Sequence, residues 1–201
     1  MPARSNSPKR RVAADAARFT PPPSVSAPAL LHQGSDRVFQ KLIFDLFTVS
    51  ARIEQVRAHF ALPMGISGPQ YSLLRAVAFL QGQEGVSVGS VAKHLDVTSA
   101  FITAQSRALL EQGLLDKDED AADRRISRLS LTRKGERLVD EIIESVRPVN
   151  DAFFGTLRKS EFEALAAIME KLVDSSRDAI VQLESRHQRT ALSNRDKILN
   201  S

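Results

Sequence analysis

The stretch from Asp123 to Leu138, reading D-R-R-I-S-R-L-S-L-T-R-K-G-E-R-L, narrows the folds open to this chain more than any other. Asp123, Arg124 and Arg125 form a charged tip. Ile126, Leu129 and Leu131 are apolar while Ser127, Arg128, Ser130 and Thr132 are polar, a short and imperfect period-two pattern that suits a half-buried strand. Thr132 then offers a side-chain oxygen to cap a helix running on through Arg137 and Leu138. A basic hairpin tip beside a helix start has the shape of a wing that reaches along a nucleic-acid backbone. Standing alone, such a stretch is more often a solvated surface hairpin, so its meaning depends on its surroundings.

Those surroundings are helical. Upstream, Val38, Phe39, Leu42, Ile43, Leu46, Phe47, Ile53, Val56 and Phe60 recur every three or four residues and predict a long amphipathic helix ending before Pro63. Its apolar stripe is wider than one packing face requires, which predicts burial against a second chain as well as its own core. Ser67 and Gln70 have capping-box spacing and open a second helix carrying Leu73, Leu74, Val77 and Leu80, closed by Gly82 and Gly85. Residues 86–88 suit a brief strand. Val91, Ala92 and Leu95 mark a short helix, Asp96 and Val97 a tight turn, and Thr98 the cap of a helix that Gly113 stops. Helix, short turn, helix is the helix-turn-helix arrangement; residues 114–118 and 126–131 are then the two arms of the hairpin.

Downstream, Leu138, Val139, Ile142, Ile143, Val146, Val149, Phe153, Phe154 and Leu157 keep a helical period across Pro148, where a kink is predicted. Ser160 and Glu163 predict a capped final helix carrying Phe162, Leu165, Ile168, Met169, Leu172, Ile180 and Leu183. The fold class is therefore mainly α with a small β-hairpin wing. A disordered, basic, Pro-rich arm at 1–34 precedes a helical dimerisation region made of 35–65 and 138–184. The winged helix-turn-helix lobe lies between them at 66–137, and a polar, frayed tail occupies 185–201.

Composition excludes more than it assigns. The chain has 201 residues, 42% of them hydrophobic, enough for one sizeable core. Without cysteine there is no disulfide, no Cys-ligated metal site and no thiol sensor. His32, His59, His94 and His187 have no metal-like spacing, and neither a glycine-rich phosphate loop nor a serine elbow is present, so no enzyme, metal or cofactor is expected. No apolar run approaches the roughly 18 residues of a membrane span, and the N-terminus lacks the apolar core of a secretory signal. A cytoplasmic protein with no membrane partner is expected, although the acid-poor, Arg- and Ser-containing start also fits an organellar transit peptide. The net charge is +4, but Arg4, Lys9, Arg10, Arg11 and Arg18 against Asp15 account for all of it, so residues 35–201 sum to zero. A case for DNA must rest on where charges sit within the folded part.

In a helix-turn-helix the second helix enters the major groove with its N-terminal residues toward base edges. Here these are Thr98, Ser99, Ala100, Phe101 and Thr103, followed by Gln105 and Arg107. The hydroxyls suit phosphate or base hydrogen bonds or simple capping, Ala100 allows close approach, Arg107 suits phosphate or guanine, and Phe101 suits contact with a thymine methyl or burial. From Arg124 to Arg137 run Arg124, Arg125, Arg128, Arg133, Lys134 and Arg137 with one acid, Glu136, whereas the preceding arm is acidic. Asp123 can brace an arginine while Arg124 or Arg125 reaches the negative minor groove.

Residues 66–138 resemble the winged helix-turn-helix of the MarR family of bacterial transcriptional regulators. The resemblance rests on G-I-S-G-P-Q-Y-S-L-L, V-S-V-G-S-V-A-K-H-L-D-V-T-S-A-F-I-T, R-A-L-L-E-Q-G-L-L and, most specifically, D-R-R-I-S-R-L-S-L-T-R-K-G. It implies a homodimer whose first and last helices interlock, bound to a pseudo-palindromic operator on double-stranded DNA as a repressor and so associated with the nucleoid when bound. It also implies that Asp123 and Arg125 are the wing pair and that Ser99, Ala100, Phe101, Thr103 and Arg107 face the groove. Asp96 stands where the family often has Gly, and Phe101 where a small hydroxyl residue is common. A small aromatic or phenolic acid held between the dimerisation helices and the lobe is the implied effector, with Arg52, His59, Tyr71, Ser72 and Arg75 as the candidates to hold it. The other reading is a winged-helix protein-interaction module, or a regulator that needs no ligand.

Overall fold

The computed structural model of the protein describes residues 21–199, with side chains over 21–189. The architecture is mainly helical with a small three-stranded antiparallel sheet. Two compact units divide the chain at 68/69.

In the first unit, α1 (Arg37–Ala61) is the long helix the periodicity predicts. Its wide stripe divides in two: Phe39, Ile43, Leu46, Val56 and Phe60 are half-buried, while Val38, Leu42, Phe44, Phe47 and Ile53 stand exposed. Residues 1–20 of the expected disordered arm lie outside the described residues. Residues 21–34, expected to be disordered as well, instead hold local structure. Pro28–Leu30 form a 3-10 turn, and His32 and Ser35 exchange backbone hydrogen bonds. The Ser24 backbone N–H and Oγ donate to Asp36 Oδ2 at 2.7 and 2.8 Å, and Gln40 Nε2 donates to the same oxygen at 3.1 Å. These hydrogen bonds hold the Asp36 carboxyl below the usual carboxylate range, the Ser24 backbone N–H contributing most. Composition averages over the segment and cannot register such a latch.

In the second unit, α2 (Gly68–Leu80), α3 (Val88–Leu95) and α4 (Ser99–Glu111) carry most of the core with the strands β1 (Val86–Ser87), β2 (Leu115–Glu119) and β3 (Ser127–Leu131). Leu73, Leu74, Val77, Val91, Ile102, Leu109, Leu114, Leu115 and Leu129 are almost wholly buried. The strand order is β1-β3-β2, with Val86 opposite Leu129 on one side of β3 and Lys117 opposite Leu129 on the other. Since side chains alternate faces along a strand, burying Leu129 and half-burying Ser127 and Leu131 sends Ile126 the other way. Ile126 lies one residue before β3, at 40% exposure, rather than with the apolar set of the strand.

Helix α5 (Arg133–Phe154) follows β3 through Thr132, whose Oγ1 accepts the Gly135 N–H at 3.0 Å and donates to Gly113 O at 2.7 Å. The helix runs on through Pro148 without a break. Helix α6 (Lys159–Leu199) opens not on the Ser160/Glu163 pair but two residues earlier. Glu161 Oε2 accepts the Arg158 backbone N–H at 2.9 Å, the reciprocal half of a capping box, and Arg158 donates through its guanidinium to Glu161 Oε1 at 2.5 Å. The backbone of the expected frayed tail continues α6 as far as Leu199, in keeping with the helix-favouring Arg, Gln, Ala and Leu it contains. Phe162, Leu165, Ile168, Met169, Leu172, Val173, Ile180, Val181 and Leu183 are all exposed along α6. Among the described residues no helix is long and apolar enough to cross a membrane.

Candidate DNA interface

The turn between α3 and α4 is held by backbone geometry. Asp96 takes a left-handed conformation, φ 54° and ψ 46°, and its N–H caps α3 on Ala92 O and Lys93 O. A short polar side chain tolerates that conformation better than a bulky one. Thr98 Oγ1 accepts the Phe101 N–H at 3.1 Å, fixing the first turn of α4. Ile102, Ser106 and Leu109 face the core, with Ser106 Oγ donating to Thr103 O at 3.0 Å. Ser99, Ala100, Phe101, Thr103, Ala104 and Arg107 are left facing outward, and Gln105 is half-buried at the edge. Ser87, which the sequence reading placed only in a strand, caps α3 by accepting the Ser90 N–H at 3.0 Å.

The wing is braced twice. At its tip Arg125 donates from Nε to Asp123 Oδ1 at 3.0 Å and from NH2 to Asp123 Oδ2 at 2.9 Å, a bidentate pair, while the guanidinium side chain remains 90% exposed. At its base Asp120, 8% exposed, accepts the Ala122 and Asp123 backbone N–H groups on Oδ1 at 2.8 and 3.0 Å and pairs through Oδ2 with Arg128 Nε. Arg128 also donates from NH1 to Gly85 O at 3.0 Å, joining the hairpin to the segment before β1. The sequence reading grouped Arg128 and Lys134 with the basic residues of the wing. The structure instead commits Arg128 to this clamp and Lys134 to Gln112 O at 2.8 Å. No local signal pointed to Asp120, because its partner is brought to it by strand register rather than by sequence neighbourhood.

Arg128 and the two backbone donors hold the Asp120 carboxyl below the usual carboxylate range, the Arg128 hydrogen bond contributing most. Arg125 does the same for Asp123 through its side chain and then its backbone N–H, and the Arg125 guanidinium is raised in return by Asp123. A carboxylate whose pKa is lowered on folding stabilises the fold fully above its unfolded value, and that contribution is lost as pH falls through the lowered value. Thermal stability is therefore expected to be insensitive to Asp120 down to about pH 4 and to weaken below it, the exposed Asp123–Arg125 pair contributing little. The acid-side loss should be shallower in Asp120→Asn; identical pH profiles for the two proteins would remove Asp120 from this role.

Between wing and reading helix lies an open cleft of about 420 Å³, lined by Ser87, Val88 and Gly89 at the start of α3, Ser99 and Thr103 of α4, and Arg125, Ile126 and Ser127 of the wing. It joins three of the residues singled out in the sequence, Ser99, Thr103 and Arg125, with five that were not. Its walls carry hydroxyls and a guanidinium and no carboxyl. Phe101, Ala100, Gln105 and Arg107 do not line it. Arg124 is exposed beside Glu119 at 3.7 Å. Of the residues considered for an effector, Arg52 and His59 are exposed on α1, Tyr71 is 6% exposed on α2, and Ser72 and Arg75 are half-buried there.

Residues 66–135 match the family model described as a winged helix DNA-binding domain. Transcriptional regulator HosA of Escherichia coli O157:H7 is 29% identical over 110 residues, 55% of this chain and 79% of its own length. Among solved structures, CouR from Rhodococcus jostii RHA1 bound to p-coumaroyl-CoA is similar at 22% identity and a TM-score of 0.61, over 69% of this chain and 95% of that one. The Staphylococcus aureus MepR–DNA complex is similar at 22% identity and a TM-score of 0.56, over 66% and 96%.

Proposed function

We propose that this chain, a winged-helix DNA-binding regulator of MarR type, works as a homodimeric repressor that occupies a pseudo-palindromic operator and leaves it when a small aromatic or phenolic acid binds. The cleft carries this reading. A helix in the major groove and an arginine in the adjacent minor groove must straddle one sugar-phosphate strand. Among the lining residues, Ser99 and Ser127 offer that strand hydroxyl donors and Arg125 a cation, while Thr103 Oγ1 donates to Ser99 O at 2.9 Å and Ser87 Oγ to Ser90 Oγ at 2.8 Å.

Dimerisation is supported by the exposed apolar rows of α1 and α6. Burying such rows stabilises association by about 25 cal/mol per Å² of apolar surface, and rows this long are rarely left in water by a monomer. Release by ligand draws support from the similarity to CouR, whose structure holds p-coumaroyl-CoA, and direct DNA engagement from the similarity to MepR. The effector is proposed to act by favouring a dimer whose reading helices no longer match the groove spacing.

Selection of bound duplexes from a random pool tests this directly. The enriched site should be two inverted half-sites with centres about 10 base pairs apart or a multiple of that. The complex should contain two chains of 22.1 kDa. Members of a panel of benzoic, hydroxybenzoic and cinnamic acids should release it. Enrichment of no site, with no salt-dependent DNA binding, would favour the protein-interaction reading; a site insensitive to every acid would leave a regulator without this class of effector.

A further inference from the structure

The recognition helix has two unlike edges. Successive residues of an α-helix turn by about 100°, so Thr103 and Phe101 fall on opposite edges of α4. Ser99 and Thr103 form the hydroxyl edge, which lines the cleft beside the wing. On the other edge Phe101 at 40% exposure is followed by exposed Ala104 and half-buried Ala108, at the i, i+3, i+7 spacing of one face. Ala104 and Ala108 carry only methyl groups, Phe101 keeps 40% of its surface exposed, and the Thr98 cap on its backbone N–H fixes the turn that carries it.

We infer that Phe101 is a specificity-determining residue that reads the 5-methyl group of a thymine in each half-site. The inference rests on the DNA-binding reading above. On the floor of the major groove the base edges offer hydrogen-bond donors and acceptors almost everywhere, and the thymine methyl is the apolar group they present. A phenyl ring projecting from the first turn of the reading helix forms no hydrogen bond with those polar edges, so it disfavours positions where it would cover an amino or keto group and favours one where it covers a methyl. The hydroxyl edge meanwhile faces the backbone strand. One helix thus combines phosphate positioning on one edge with apolar base reading on the other.

The test uses the full chain and the duplex it selects from a random pool, resynthesised with 2′-deoxyuridine replacing each thymine in turn, which removes the methyl and keeps the pairing. Wild-type protein should lose about fourfold in affinity at one thymine of each half-site, the value of one buried methyl-sized group. Phe101→Ala should lose less than twofold from the same replacement, and Phe101→Leu, which keeps an apolar side chain, should retain part of the dependence. Uracil replacements that affect wild type and Phe101→Ala equally, or neither, overturn the inference while leaving DNA binding intact. Failure to select any duplex overturns it together with the DNA-binding reading.

Discussion

Arg125→Ala is expected to weaken binding to the selected operator roughly tenfold and to lower the slope of log affinity against log salt by about 1. Arg125 is 90% exposed at the wing tip and borders the cleft, so the variant removes one cation from the proposed DNA contact and leaves Asp123 without its guanidinium partner. Equal affinities and equal salt slopes would take the wing off the DNA. A sharper version concerns its partner. Asp123 is an anion beside the position proposed for the phosphate strand, so electrostatics alone predicts that Asp123→Asn tightens binding. The bidentate geometry predicts the opposite, because Asp123 holds a side chain that otherwise carries about 2 kcal/mol of rotamer entropy in one orientation. An exposed pair of this kind contributes little to stability, and its effect should be confined to binding. Looser binding by Asp123→Asn with an unchanged melting temperature is the expected result; tighter binding would show Asp123 to be only a competing charge.

Gly135→Ala should be the most destabilising small substitution in the lobe. A Cβ at this position would lie 2.1 Å from Leu114 O and 3.1 Å from Leu114 C, with Leu131 Cδ2 at 3.3 Å. The carbonyl cannot easily retreat: it accepts the Thr132 N–H at 3.2 Å, Leu114 is 2% exposed, and the next residue, Leu115, pairs with Leu131 in the sheet. Overpacking against fixed backbone should cost about 3 kcal/mol, a fall of roughly 6–12 °C in melting temperature for a chain of this size. Thr132→Ala, which loses the cap and the bond to Gly113 O, should cost less, about 1–2 kcal/mol. A melting temperature unchanged in Gly135→Ala would mean that the start of α5 moves freely past β2. The Leu-Thr-x-x-Gly spacing at residues 131–135 thus has a physical reading: leucine paired in the sheet, threonine capping the helix, glycine admitting a carbonyl where a side chain would collide.

Much of this was readable in the sequence because it is made by residues three or four apart. Thr98 and Thr132 cap the helices they were expected to cap, Asp96 makes the turn, and the period of α1 sets its length. The Asp123–Arg125 pair is local as well, its members lying two positions apart. The structure departs from the local pattern where two neighbouring residues of the same type compete for one role. Glu161 rather than Glu163 caps α6, and Arg128 lay in a basic run that gave no sign of which cation turns inward.

By itself the amino-acid sequence determined the helix-turn-helix, the hairpin and the amphipathic flanking helices, because caps, turns and periodicity are settled within one or two turns of chain. Only the tertiary structure decided which charges reach outward and which brace, that Ser87, Gly89 and Ser127 join Ser99, Thr103 and Arg125 around one cleft, and that Phe101 stands on the opposite edge of the reading helix. Strand register brings Arg128 to Asp120 and to Gly85 O, and sheet-to-helix packing brings Leu114 O against Gly135. Such contacts join segments far apart in the chain, where no short-range preference selects the partner and only the closed core fixes the distance.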